Sequence, residues 1–538
     1  MPPTVKAALA ATLLAGAAAL SPQAQAATPR DALVMAWNLD ALITFDPAQI
    51  AEVNGNDIIR NVCEPLVNYD LKDVSKMVPG TAESWTTSED GMTITFKLRD
   101  NLKFPNGRTA TAHDAVWSMH RVVGLGYGNS ANFTQWGFTR DKIEQQITAA
   151  DDRTIVVKMD RPYPVGLMLS AMFASGSTGI MDSEIGKKEA KTVDGRYDWA
   201  NPFFKTNPVC VGHYRVTRWN TNEVVILERN ENYYGEKAKL RRVIIRHVPE
   251  SAAQRLLLEK GDIDVARLLN TDDLRALSKN KDVEVTATTM HGFSYLAFNA
   301  QDPIFSNPKV RQAFRWMIDY QGLGSTVLEY QGTPRASLVP IGAFGALDEK
   351  EGQPFKLDLE KAKALLAEAG FPNGFTKKFI HSANSISPQI AQHVQANAAK
   401  IGVNLQLEQM ADAQLFTRAR AREFEVLLIG WGAGYPDSDS MISRHAVNPD
   451  NRPEARLAQY PSWRSSWQDT KINEMADAAR MERDTTKRIE MYHEIQKYMM
   501  DNGPMAYIYQ TVRPIAVRKE IKGFAMTPFD VDYSTAGK

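Results

Sequence analysis

Cysteine is almost absent: the chain of 538 residues holds two, Cys63 and Cys210. One intramolecular disulfide, or two unrelated buried thiols, is all that this supply allows. Net charge is absent too, with Lys plus Arg equal to Asp plus Glu at 63 each. Without a long basic run, such a chain is a poor match for a phosphate backbone, and nucleic-acid binding drops out. Past the first stretch, no segment reaches the ~18 apolar residues of a membrane span. His-Glu-x-x-His, Gly-x-Ser-x-Gly and Gly-x-x-x-x-Gly-Lys-Ser/Thr are all missing, so no familiar catalytic constellation is present. The nine histidines are scattered. His113 and His120 share one expected helix, but no other ligand-type residue accompanies them, and a surface or lining role fits better than a metal site. Gly124, Gly126 and Gly128 lack dinucleotide spacing and read as a loop. There is no fixed-period repeat.

What is present begins with an export signal. Lys6 is the only charge ahead of an Ala/Leu-rich core from Ala7 to Leu20, and Ala24-Gln25-Ala26 offers a small-x-small cleavage site. Met1–Ala26 is therefore expected to be removed, leaving a periplasmic chain in an oxidising compartment. A mature chain of this length has room for two or three domains.

The most informative stretch runs from Ala82 to Val122. Met92, Ile94, Phe96 and Leu98 alternate with polar residues, the period of a half-buried strand. Asn106-Gly107 is a turn pair, and Thr111 with Asp114 three residues on imitates a capping box before an apolar run. Later segments alternate strand and helix patterns. Asp358–Gly374 and Gln389–Lys400 read as helices, Val403–Leu407 and Glu425–Ile429 as strands. Ile472–Met500 reads as a helical region broken near Asp484. Such alternation indicates α/β domains with mixed sheets.

The order and spacing of the Ala82–Val122 segment resemble the signature region of the peptide/nickel-type (family 5) extracellular solute-binding proteins of ABC importers. The segments Asn207–Tyr214, Glu228–Gly235 and Tyr295–Ala313 carry the resemblance through most of the mature chain. It implies a two-lobed clamshell with a third, inserted domain. Lobe one would comprise Ala27–Asn68, Trp199–Met290 and Tyr509–Lys538. The inserted domain would be Tyr69–Asp198 and lobe two His291–Ile508. It further implies a monomeric receptor, no enzyme and without a cofactor, that takes a peptide or peptide-like solute to ABC permease subunits. Opine-like or sugar-conjugate solutes, a metal chelate, or a ligand-presenting sensor are the alternatives. Since the segments around both cysteines would fall in lobe one, the resemblance favours a Cys63–Cys210 disulfide. Neither lies near Ala26, which argues against a lipid-anchored form.

The same resemblance points to a ligand loop at Gly430-Trp431-Gly432-Ala433-Gly434-Tyr435-Pro436-Asp437. Trp431 would line the cleft or else be a core indole. Gly432 and Gly434 would open the backbone to a ligand, with Tyr435 and Asp437 beside them. Peptide-binding relatives carry a carboxylate three residues after this Trp to pair with the peptide ammonium, and here that position is Gly434. Asp437 or Asp439 could replace it or could be solvated loop residues. Trp136, Phe293 and Tyr295 are further candidates, each open to a core reading, and Ile43 and Thr44 could offer main-chain contacts.

Overall fold

The computed structural model describes residues 28–40, 42–50, 53–383, 386–529 and 531–538. The expected signal segment and its cleavage point lie outside them.

A single eleven-stranded sheet runs through the molecule. Its order is Tyr214–Asn220, Val224–Arg229, Arg242–His247, Ala32–Trp37, Val265–Arg267, Met505–Arg518, Val283–Phe298, Val426–Gly432, Thr376–Ser382 and Asn404–Met410, with Gly332–Pro334 added on Met505–Arg518. Ala32–Trp37 is buried at every position and is parallel to both neighbours, as a strand covered on two faces must be.

Two strands belong to both halves. Val283–Phe298 and Met505–Arg518 pair antiparallel along their length, with register shifts between Thr289 and Phe293 and between Ser294 and Tyr295. On one side of these breaks they complete the sheet around Ala32–Trp37, and on the other the sheet around Val426–Gly432. The halves have separate cores: Leu33, Met35 and Val243 anchor one, Leu296, Phe314 and Val426 another. This is a two-lobed α/β clamshell.

The inserted domain carries its own antiparallel sheet, Ala82–Thr87, Thr93–Leu98, Thr154–Lys158 and Ile147–Asp151. Ile94, Phe96 and Leu98 point inward, Ile94 and Phe96 facing Val157 and Ile155 across the ladder. Helix Ala112–Leu125 starts where Asp114 accepts the Thr111 N–H at 2.9 Å. From that helix Arg121 reaches into lobe one and forms a fully buried ion pair with Asp46. Charge pairs of this kind are costly to break one-sidedly, by about 3–5 kcal/mol, so the loop at 42–47 is held firmly on the inserted domain.

Cys63 and Cys210 form a disulfide with Cα atoms 4.9 Å apart. It closes a separation of 147 residues and so spans the whole inserted domain. In the chain-entropy account a loop of that size stabilises the fold by about 5 kcal/mol.

Candidate functional site

The wall of lobe two that carries the expected ligand loop is built on the ladder between Val426–Gly432 and Val283–Phe298. Trp431 sits opposite Phe293, Gly432 opposite Gly292 and Tyr295 opposite Ile429. The expected loop is thus a continuation of the strand as far as Gly432, because the cross-strand ladder overrides the glycine-rich composition. Gly430, Gly432 and Gly434 are exposed. None of them has a left-handed φ, and a Cβ on Gly432 would meet nothing within 4 Å. Neither conformation nor packing requires glycine there, and the effect of its presence is to bare the backbone.

Trp431 is half-buried. Its ring stands edge-on to His445 at 5.4 Å, and the Arg464 guanidinium lies 5.2 Å from its centroid. His445 is wholly buried and its Nδ1 pairs with the Tyr507 hydroxyl at 2.8 Å. Burial, with Arg464 acting in the same direction, lowers the His445 pKa to about 3, so the ring is neutral. Phe293 and Tyr295 are each 1% exposed and pack on Tyr507 beneath this surface. They support the wall from behind and are not presented to a ligand.

The two aspartates of the loop are already engaged. Asp437 accepts two hydrogen bonds from Arg488, at 2.8 and 2.9 Å, and caps helix Ser438–His445 through the Asp439 N–H. Asp439 accepts from Arg480 at 2.9 and 3.2 Å and from the Tyr435 hydroxyl at 2.7 Å. Desolvation raises the Asp437 pKa against the pull of Arg488, whereas for Asp439 the Arg480 charge and its hydrogen bonds outweigh burial and lower it. The expectation that Asp437 or Asp439 replaces a carboxylate at Gly434 is therefore corrected: both are buried and neutralised by arginines of their own lobe.

Trp136 also departs from its expected role. It is 1% exposed in the inserted-domain core, covered by the Arg480 guanidinium at 5.3 Å. Tyr435, reaching from lobe two, packs into the same core, and Arg444 donates to Gln135 at 2.9 Å. These residues join lobe two to the inserted domain and do not face a ligand. Between the same two units a cavity of about 510 Å³ remains, bordered by Tyr163, Leu169 and Ser170 on one side and Phe344, Pro436 and Arg488 on the other. Its volume is within the range of small-molecule sites.

On lobe one, Thr44 is fully buried and its hydroxyl accepts the Asp46 N–H at 3.0 Å, while Ile43 beside it is half exposed. Trp37 and Arg267 end adjacent parallel strands, the edge at which α/β sheets receive ligands. Arg267 stacks on Trp37 at 3.8 Å and shares Asp57 with Arg513. Sequence reading missed Arg464, His445, Arg488 and Arg480. The three arginines are more than 30 residues from Trp431 and His445 ends the helix that follows the loop; none matches a motif spacing, so only the fold discloses them.

Two lobes joined by a pair of shared strands, with a half-buried aromatic and exposed glycines at the end of a lobe-two strand, make up the architecture. The family profile described as Bacterial extracellular solute-binding proteins, family 5 Middle, matches residues 76–451. The chain belongs to this family. It is 27% identical over 512 residues to the probable D,D-dipeptide-binding periplasmic protein DdpA of Escherichia coli, covering 94% of each chain. It is also 27% identical over 511 residues to heme-binding protein A of Haemophilus influenzae, covering 91% of this chain and 89% of that one. Among solved structures it is similar in fold to HbpA2 of Haemophilus parasuis, with a TM-score of 0.78, 24% identity and coverage of 94% and 99%. The dipeptide-binding protein of Pseudoalteromonas sp. SM9913 in complex with Met-Leu gives 0.76, 22%, 94% and 100%.

Proposed function

We propose that the protein is the periplasmic receptor of an ABC importer, which holds an extended, peptide-like solute between its lobes and hands it to the membrane permease. One observation carries the solute class. Strand Thr376–Ser382 pairs with Val426–Gly432 only at Phe379–Val426 and Ile380–Leu427. Beyond Leu427, among the described residues, that edge of Val426–Gly432 has no strand beside it, and it is there that Gly430 and Gly432 are exposed. An exposed strand edge suits a ligand with its own amide groups, which can add to it by main-chain hydrogen bonds. Trp431 supplies the apolar contact, and Gly432 and Gly434 the approach. The divisions at residues 68/69, 198/199, 290/291 and 508/509 are taken as the limits of the moving units, with the shared strands as hinge.

Calorimetric titration with pooled di- and tripeptides, together with uptake of any peptide bound by cells lacking the gene, tests this reading. Saturable binding and lost uptake are expected. Failure of every peptide to bind would refute the solute class, and intact uptake of a bound peptide would refute the transport role.

A further inference from the structure

Arg464 is 8% exposed, yet it makes no ion pair among the described residues. Among the described residues its side chain makes one hydrogen bond, from Nε to the Ala458 carbonyl at 2.6 Å, which leaves both terminal nitrogens without an acceptor there. The guanidinium lies against Trp431; burial, the largest influence, and nearby Arg420 work against its charge, and Tyr295 offsets them only in part. A buried, unpaired cation is expensive unless something neutralises it. The indole face offsets part of that cost. The adjoining void of about 10 Å³, bordered by Tyr295 and Ser465, has room for about one water. Water can accept a hydrogen bond but cannot cancel a charge. Arg444, half-buried near Tyr460, and Arg420 also lack carboxylate partners among the described residues. The acidic groups of the ligand loop, meanwhile, are consumed by Arg488 and Arg480. This wall therefore has a cation to offer a solute, while both aspartates of its ligand loop are taken.

We propose that the solute presents a carboxylate to lobe two and that Arg464 takes it beside the Trp431 indole. Arg464 suits the task because its planar fork can donate two parallel hydrogen bonds to the two oxygens. The inference rests on the receptor reading above and deepens it: the solute is an acid, and at this wall it is recognised by its negative end.

Three probe sets tested by thermal shift and Trp fluorescence on stripped protein decide the matter: N-acetyl-dipeptide acids, dipeptide amides with a free amino end, and non-peptide dicarboxylic acids. The wild type is expected to bind the acetylated acids and to ignore the amides. Arg464→Gln should weaken acid binding at least tenfold, and Arg464→Lys should recover part of it. The unliganded melting temperature of each variant shows whether it folds, and if Arg464→Gln does not, Arg464→Lys against wild type carries the comparison. Amides that bind as tightly as acids, or acid affinity unchanged in the folded variants, would overturn the assignment while leaving peptide binding intact. Binding of dicarboxylic acids alone, lost in Arg464→Gln, would uphold Arg464 and reject the peptide class. Binding by none of the three would reject both.

Discussion

Lowering the pH from 7 to 5 should reduce the stability of the fold by about 4 kcal/mol through His445 and His291 alone. Among the described residues, His445 lies wholly buried under Trp431 with no partner for its Nε2, and His291, 4% exposed, stands edge-on to Phe529 at 4.9 Å with none for its Nδ1. Burial brings their pKa values down to about 3 and about 4. In the unfolded chain each would titrate near 6.5. Because the folded values are the lower ones, the unfolded chain binds more protons, and stability falls as pH drops below about 6.5. At pH 5 each unfolded histidine is about 1.5 units below its pKa, worth about 2 kcal/mol at 1.36 kcal/mol per unit. Asp437, raised by burial, contributes with the opposite sign, so any overlap of its titration with this window reduces the loss. Urea unfolding at half-unit steps of pH, read by circular dichroism, gives the slope. His445→Gln should remove about half of the loss. A variant whose stability falls in parallel with wild type would show that His445 takes up its proton in the folded state, and the reasoning would fail.

Two further outcomes follow from the site. Trp431→Ala should weaken solute binding by about 2–4 kcal/mol in calorimetry, the range for a central aromatic anchor, and an unchanged affinity would remove the indole from the site. Asp437→Asn strands the Arg488 charge in the interior and should lower unfolding stability by about 3–5 kcal/mol, whereas a loss below about 1 kcal/mol would mean that the pair contributes little.

Elements written in local pattern were legible in the sequence. The alternation from Met92 to Leu98 became strand Thr93–Leu98, and the break expected near Asp484 falls there, with Asp484 capping helix Thr485–Asn502. Where a local signal and a distant partner disagreed, the partner won. Trp431 and Gly432 were read as loop and became strand because Phe293 and Gly292 face them. The site was legible only in its aromatic. Whether an aspartate is free depends on an arginine far along the chain, as Asp437 depends on Arg488, and such a pairing leaves no periodic trace.

The position of Met505–Arg518 between Val265–Arg267 and Val283–Phe298 bears on how the molecule assembles. Lobe two leaves and re-enters through neighbouring strands, so its two ends meet in space and it can be completed as one uninterrupted excursion of the chain. Lobe one cannot. Its opening strand, Ala32–Trp37, waits for Arg242–His247 and Val265–Arg267, more than 200 residues further on, and the sheet still keeps a gap beside Val265–Arg267 until Met505–Arg518 is supplied. During synthesis the part made first is thus the part finished last, and it must be kept from premature closure until Met505–Arg518 is delivered.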